Sequence, residues 1–101
     1  MKIYQVDTEQ GKYEDHTQDV ELVTVSALSA LTKVYEIVKE WHNKTVTDMV
    51  VWLCVWEDDK LIDAYSMATV KGYIERQHGK GNLWIFESLK AIYDKVNGGK
   101  L

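Results

Sequence analysis

The chain has 101 residues, a net charge of −4 and 46% hydrophobic residues. The length suits one domain, and the composition is that of a globular protein rather than a disordered chain. We therefore expect a single domain over residues 1–101. No apolar stretch approaches the roughly 20 residues that span a bilayer, and the start lacks the apolar core of a signal peptide. The sequence thus predicts a cytoplasmic protein without membrane association.

The first half of the chain predicts two strands and a helix. Lys2–Asp7 and Asp19–Val25 alternate their side chains between two sides, which favours an antiparallel pair with a long polar connection. A helix follows, with Ser26 or Ser29 as its N-cap. Its inward stripe has the spacing of an amphipathic helix and consists of Ala27, Leu31, Val34, Val38 and Trp41.

The second half predicts two more strands and two helices. Met49–Trp56 is apolar on both sides and rich in β-branched and aromatic residues, which indicates a buried central strand. Leu61–Met67 returns as its partner. Thr69 then caps a short helix that runs through His78, although Gly72 weakens it. Asn82 caps the last helix, and the apolar stripe of that helix consists of Ile85, Leu89, Ile92 and Val96.

These elements predict an α+β fold in the order ββ-α-ββ-α-α. A four-stranded, mostly antiparallel sheet would pack one face against the two longer helices, and the short helix would lie outside that pair. The strands Lys2–Asp7 and Leu61–Met67 are candidate sheet edges. Edge strands can pair with another chain, so a homodimer through the sheet is one alternative for the function.

Two tryptophans stand two positions apart on the central strand. Trp52 and Trp56 share one side of that strand with Val50 and Cys54. We expect this side to pack under a helix, as large apolar side chains usually do. The alternative is an open face, on which the pair would anchor a protein interface, because Trp is enriched among binding hot spots.

The acidic residues concentrate near the start of the chain. Residues 1–25 carry six acids and two lysines, so their net charge of −4 equals that of the whole chain. An acidic surface there would bind a basic or nucleic-acid-binding protein, since complementary charge speeds encounter; a solvated loop is the alternative. Ligand spacing around His16 matches no EF-hand or zinc motif, so we predict no metal site. The candidate partner-binding residues are Glu14, Asp15, Asp19, Glu21 and an exposed Trp84.

One locally basic stretch lies at residues 71–81. Its glycine spacing fits neither a P-loop nor a dinucleotide fingerprint, but the stretch could still hold a small ligand, a nucleotide or a phosphate. Arg76 is the single arginine of the chain, and direct nucleic-acid binding is not expected because it needs a larger basic surface. The candidate ligand-binding residues are Lys71, Tyr73, Arg76 and Lys80.

Catalytic groups are sparse in this sequence. His16, His42 and His78 fall in three separate predicted elements, and Cys54 lies mid-strand, where a substrate has poor access. No candidate nucleophile or base has an evident activating partner. We therefore expect a non-enzymatic protein with no catalytic residue and no cofactor.

The chain resembles small accessory proteins encoded by phages and prophages of low-GC bacteria. The features that carry this resemblance are the Met1-Lys2-Ile3-Tyr4 start, the acidic segment Gly11-Lys12-Tyr13-Glu14-Asp15, and many Lys, Tyr and Trp residues beside one arginine. The resemblance implies a protein that binds a host or phage protein. Some such proteins, including anti-CRISPR proteins, use carboxylates to occupy a nucleic-acid site on their target. Our leading hypothesis is an interaction module with an acidic surface.

Overall fold

The computed structural model describes residues 1–10, 17–44, 49–68, 73–79 and 81–96. Within these ranges the chain forms five strands and two helices. Their bounds are β1 Lys2–Gln10, β2 Thr17–Thr24, α1 Ala27–Lys44, β3 Met49–Glu57, β4 Lys60–Ala68, β5 Tyr73–His78 and α2 Leu83–Val96. The predicted α+β class is confirmed, and the two longer helices are those that the apolar stripes predicted.

The strands form one antiparallel sheet in the order β2-β1-β3-β4-β5. The prediction of four strands was wrong, because residues expected in a short helix form β5 instead. In β5, Ile74 lies opposite Met67 and Arg76 opposite Tyr65. Pairing with β4 satisfies the backbone of this segment, which outweighs its weak helical pattern. The first part of the predicted helix, residues 69–72, lies outside the described residues.

The two strands predicted as edges are internal. β1 lies between β2 and β3, and β4 lies between β3 and β5. The edges of the described sheet are β2 and β5. The alternative of a homodimer through β1 or β4 is therefore not available, since the hydrogen-bonding groups on both sides of those strands meet neighbouring strands.

Both helices pack against the same face of the sheet. On β3 this face carries the odd-numbered residues, and Val51, Leu53 and Val55 are each at most 2% exposed. The register places Val6 of β1 and Tyr65 of β4 beside Leu53. The core combines these strand residues with one side of each helix, namely Ala30, Leu31, Val34, Ile37 and Val38 from α1 and Ile85 and Leu89 from α2.

Local side-chain caps begin both helices, as the sequence predicted. Ser26 Oγ accepts a hydrogen bond from the Ser29 backbone N–H at 3.1 Å. Asn82 Oδ1 accepts one from the Trp84 N–H, also at 3.1 Å. Each cap satisfies one of the four backbone donors that a helix leaves unpaired at its start.

Candidate interaction surface

The second face of the sheet is covered by neither α1 nor α2. Alternation along each strand and the pairing registers place its residues together, across β2, β1, β3, β4 and β5 in turn. We call it the helix-free face. Its members include Gln18, Val20, Val23, Ile3, Gln5, Asp7, Glu9, Val50, Trp52, Cys54, Trp56, Leu61, Ala64, Ser66, Ala68, Glu75 and His78.

The tryptophans of β3 lie on this face, so our expectation that a helix covers them was wrong. Both residues are half-buried. Their β4 neighbours are small, because Ser66 lies opposite Trp52 and Ala64 opposite Cys54. The indole Nε1 atoms of Trp52 and Trp56 are buried and have no hydrogen-bond partner among the described residues. A buried donor left unpaired costs about 1–3 kcal/mol.

A buried carboxylate stands beside the tryptophans. Asp7 is 5% exposed and lies opposite Trp52 in the register. Gln5 Nε2 donates to both of its oxygens, at 2.9 and 3.1 Å, and Gln18 Nε2 donates at 3.4 Å. Amide donors from two strands therefore hold this charge in place and compensate for its lost water.

The thiol of Cys54 lies on the same face, near this carboxylate. Burial, together with the negative charge of Asp7, raises the pKa of Cys54 to about 11. The thiolate is the nucleophilic form, and at neutral pH this thiol stays protonated.

The strand residues of the helix-free face carry only negative full charges. Asp7, Glu9 and Glu75 belong to it, whereas no Lys or Arg of the described strands does. Glu75 is exposed and accepts a hydrogen bond from Gln77 Nε2 at 2.8 Å, and the same amide donates to Ser66 Oγ at 2.9 Å. Acidic and aromatic side chains therefore share one surface.

Sequence reasoning missed Asp7, Glu9 and Glu75 as residues of the helix-free face. Alternation along β1 puts Asp7 and Glu9 on the side of Ile3, and that signal is readable. The sequence does not show which side of the strand faces the helices. We did not predict Glu75 on this face because its segment was assigned to a helix.

The described members of the predicted partner-binding set, Asp19, Glu21 and Trp84, do not form one patch. Asp19 and Glu21 lie on the edge strand β2, where Glu21 Oε1 accepts a hydrogen bond from Thr8 Oγ1 at 3.0 Å. Trp84 is 48% exposed, but it lies on α2, which contacts β5 at the opposite edge of the sheet. Glu14 and Asp15 lie outside the described residues.

A separate cavity of about 470 Å³ opens at the start of α2. It contains one of the predicted ligand-binding residues, Arg76, whose side chain lies against Gly81: a Cβ at Gly81 would be 2.6 Å from Arg76 Cδ. Lys71 and Lys80 lie outside the described residues, and Tyr73 is placed only as the first residue of β5. The lining residues are Tyr65, Arg76, Gly81, Asn82, Leu83 and Phe86.

The backbone donors at this cavity already have partners inside the protein. The Gly81 N–H donates to Asp63 Oδ1 at 2.9 Å, and the Asn82 N–H donates to the Tyr65 hydroxyl. That hydroxyl donates in turn to the Asn82 carbonyl at 3.3 Å. Burial raises the pKa of Tyr65 above its ordinary value; the Asn82 hydrogen bond and Arg76 lower it, and Asp63 raises it. With its N–H groups engaged and a carboxylate nearby, the cavity is poorly suited to a phosphate.

The described residues contain no group of three or more His, Cys, Asp or Glu side chains arranged to hold a metal ion. Neither described helix combines the length and apolarity needed to cross a membrane.

Comparison with known proteins finds no match for this chain among protein families, curated proteins or solved structures.

Proposed function

We propose that this protein is a non-enzymatic interaction module that binds a basic partner protein through the helix-free face. One observation carries the proposal: Trp52 and Trp56 lie half-buried on a sheet face that neither helix covers. Trp is the residue type most often found at binding hot spots, in particular where surrounding contacts exclude water.

Charge supports the choice of partner. The full charges of the helix-free face are those of Asp7, Glu9 and Glu75. Asp7 is buried and Glu75 is exposed, and a partner that carries Lys or Arg would complement this negative charge. Such cations can also stack over indole rings, an interaction worth about 0.5–2 kcal/mol. The proposal takes the cytoplasm as the compartment, where a lone reduced thiol such as Cys54 is stable.

The resemblance to phage and prophage accessory proteins supports the same kind of function, because those proteins act by binding a host or phage protein. A target that normally holds nucleic acid would present the basic surface that the helix-free face complements. The direct ligand in this proposal is the protein, not the nucleic acid.

Affinity capture from a lysate of the source cells, at low and high salt, tests the proposal with two matched pairs of variants. Trp56→Ala on the face is expected to weaken capture of the partner about 30-fold, the effect of a hot spot of about 2 kcal/mol. Trp84→Ala on α2 should leave capture unchanged. Glu75→Lys should weaken it about 10-fold, whereas Glu87→Lys, an equal charge change on α2, should not.

Circular dichroism must show that all four variants fold. Release of the captured protein as salt rises is also expected, since exposed charge pairs are screened. Equal capture by Trp56→Ala and the wild type would contradict the helix-free face as the binding surface. Capture of no protein at either salt would overturn the interaction function itself.

The cavity at Arg76 supports a second candidate function, small-ligand binding. Its walls include Tyr65 and Phe86 and its cation is Arg76, so it fits an aromatic ligand with one acidic group better than a phosphate. The probe 8-anilinonaphthalene-1-sulfonate has this chemistry. We expect its fluorescence to report one saturable site, with about 10-fold weaker binding to Arg76→Gln. Unchanged binding to that variant would contradict this second function.

A further inference from the structure

We infer that the outer edge of β2 binds an extended, Lys- or Arg-rich segment of a partner protein as an added sheet strand. This inference deepens the proposed function, because it names the form of the partner segment, and it rests on that function for the existence of a basic partner. The observations behind it come from a different part of the molecule, namely the edge of the sheet rather than the helix-free face.

The position of β2 supplies the backbone groups for such pairing. Among the described strands, β2 has a neighbour on one side only, β1. It is eight residues long, whereas strands of about five or six residues are most common. The alternate N–H and C=O groups on its outer side thus form a row that an extended peptide can meet.

β2 lacks two of the usual protections of an edge strand, although it has acidic side chains and one register shift. Its sequence, Thr17–Thr24, contains no Lys and no Pro, the two residue types that most often prevent edge pairing. A register shift opposite Val6 and Asp7 is its one irregularity. Val20 and Val23 are 59% and 58% exposed, so apolar side chains are available beside the open backbone. The opposite edge, β5, is shorter and carries Arg76 and His78.

The charges of β2 select the partner. Asp19 and Glu21 are both exposed and lie near the middle of the strand. Antiparallel pairing of β2 with a second copy of itself would bring four carboxylates together, and like charges across a strand pair are destabilising. A basic strand meets the same two carboxylates with opposite charge. The acids therefore act against self-assembly and favour a Lys- or Arg-bearing segment.

The added strand would also extend the helix-free face. Val23 lies opposite Gln5 and Val20 opposite Asp7, so β2 continues that face from β1 toward the edge. A partner that places one strand along β2 is then positioned to lay neighbouring residues on the face itself. Edge pairing would supply main-chain hydrogen bonds, and the face would supply contacts to side chains.

A synthetic eight-residue peptide of alternating Val and Lys tests this inference, with its affinity for the full chain measured by fluorescence anisotropy. We expect saturable binding, and no binding of the Val and Glu counterpart. The double variant Asp19→Asn with Glu21→Gln should bind the peptide about 10-fold more weakly. The control double variant Glu36→Gln with Glu87→Gln removes two exposed charges from the helices and should bind like the wild type.

Two backbone-methylated forms of the peptide distinguish strand pairing from simple charge attraction. One carries N-methyl groups at odd positions and the other at even positions, with the same charge. In an added strand only alternate N–H groups face the neighbour, so one methylated form should lose binding and the other should keep it. Hydrogen exchange of residues 17–24 should also slow in the presence of the unmethylated peptide.

Several results would overturn the inference. They are absence of peptide binding, equal binding of both methylated forms, or sedimentation showing that β2 already pairs with a second copy at micromolar concentration. The Trp56→Ala variant separates this inference from the proposed function, because it should bind the peptide normally. If the peptide does not bind but capture of the partner still depends on Trp56, the inference about the β2 edge is rejected and the proposed function stands. Absence of capture by the wild type would reject the proposed function, whatever the peptide result.

Discussion

Replacing Gly79 with Ala is expected to lower the free energy of unfolding by more than about 3 kcal/mol. Gly79 has a φ of +80°, and a Cβ there would lie 1.9 Å from the Ile62 carbonyl oxygen and 2.6 Å from Asp63 Oδ1. An L side chain is strained at this φ by roughly 1–2 kcal/mol. The overlap with a main-chain oxygen adds to that strain, because it is relieved only if β4 or the turn after β5 moves.

Urea denaturation followed by circular dichroism measures this loss, and a fall in Tm of about 10 °C or more should accompany it. Gly81→Ala is the matched control. Gly81 has the same φ of +80°, but its added Cβ would meet Arg76 Cδ at 2.6 Å, which is part of a flexible side chain that can turn away. We expect a loss of about 1–2 kcal/mol there. Equal losses for the two variants would show that the contact with Ile62 is not as the structure places it.

Leu53→Ala is expected to cost about 2–5 kcal/mol, whereas Cys54→Ala should cost less than about 1 kcal/mol. Leu53 is 2% exposed and belongs to the core that both helices cover. Its neighbour Cys54 points to the helix-free face and is half-buried. Deleting side-chain atoms leaves a cavity only where the surrounding groups are fixed on all sides.

The same denaturation experiment compares the two variants directly. Because adjacent residues of a strand point to opposite faces, the pair reports which face of β3 is the core. A larger loss for Cys54→Ala than for Leu53→Ala would mean that the tryptophan side is packed. That result would remove the observation on which the proposed function depends.

The helices were predictable because their information is local. In α1 the spacing of Ala27, Leu31 and Val34 repeats with the helical period, and Ser26 supplies the cap one residue before it starts. Asn82 does the same for α2. Each signal involves residues that are neighbours along the chain, so no tertiary contact is needed to read it.

β5 was not predictable by the same reasoning. Ile74 and Arg76 are held in a strand by their pairing with Met67 and Tyr65, and that pairing exists only once β4 is in place. The prediction of which strands form the sheet edges was wrong for the same reason. Nothing within Lys2–Asp7 shows that β3 pairs along its second side, since strand order depends on contacts between distant residues.

By itself, then, the sequence determined the α+β class, both helices and the two-sided apolar character of Met49–Trp56. Tertiary structure alone decided which side of that strand receives the helices. Both sides are apolar enough to be buried, so hydrophobic periodicity favours neither. The two helices cover one face, which carries Val51, Leu53 and Val55, and the tryptophans remain on the other. A candidate core pair thereby becomes a candidate binding surface.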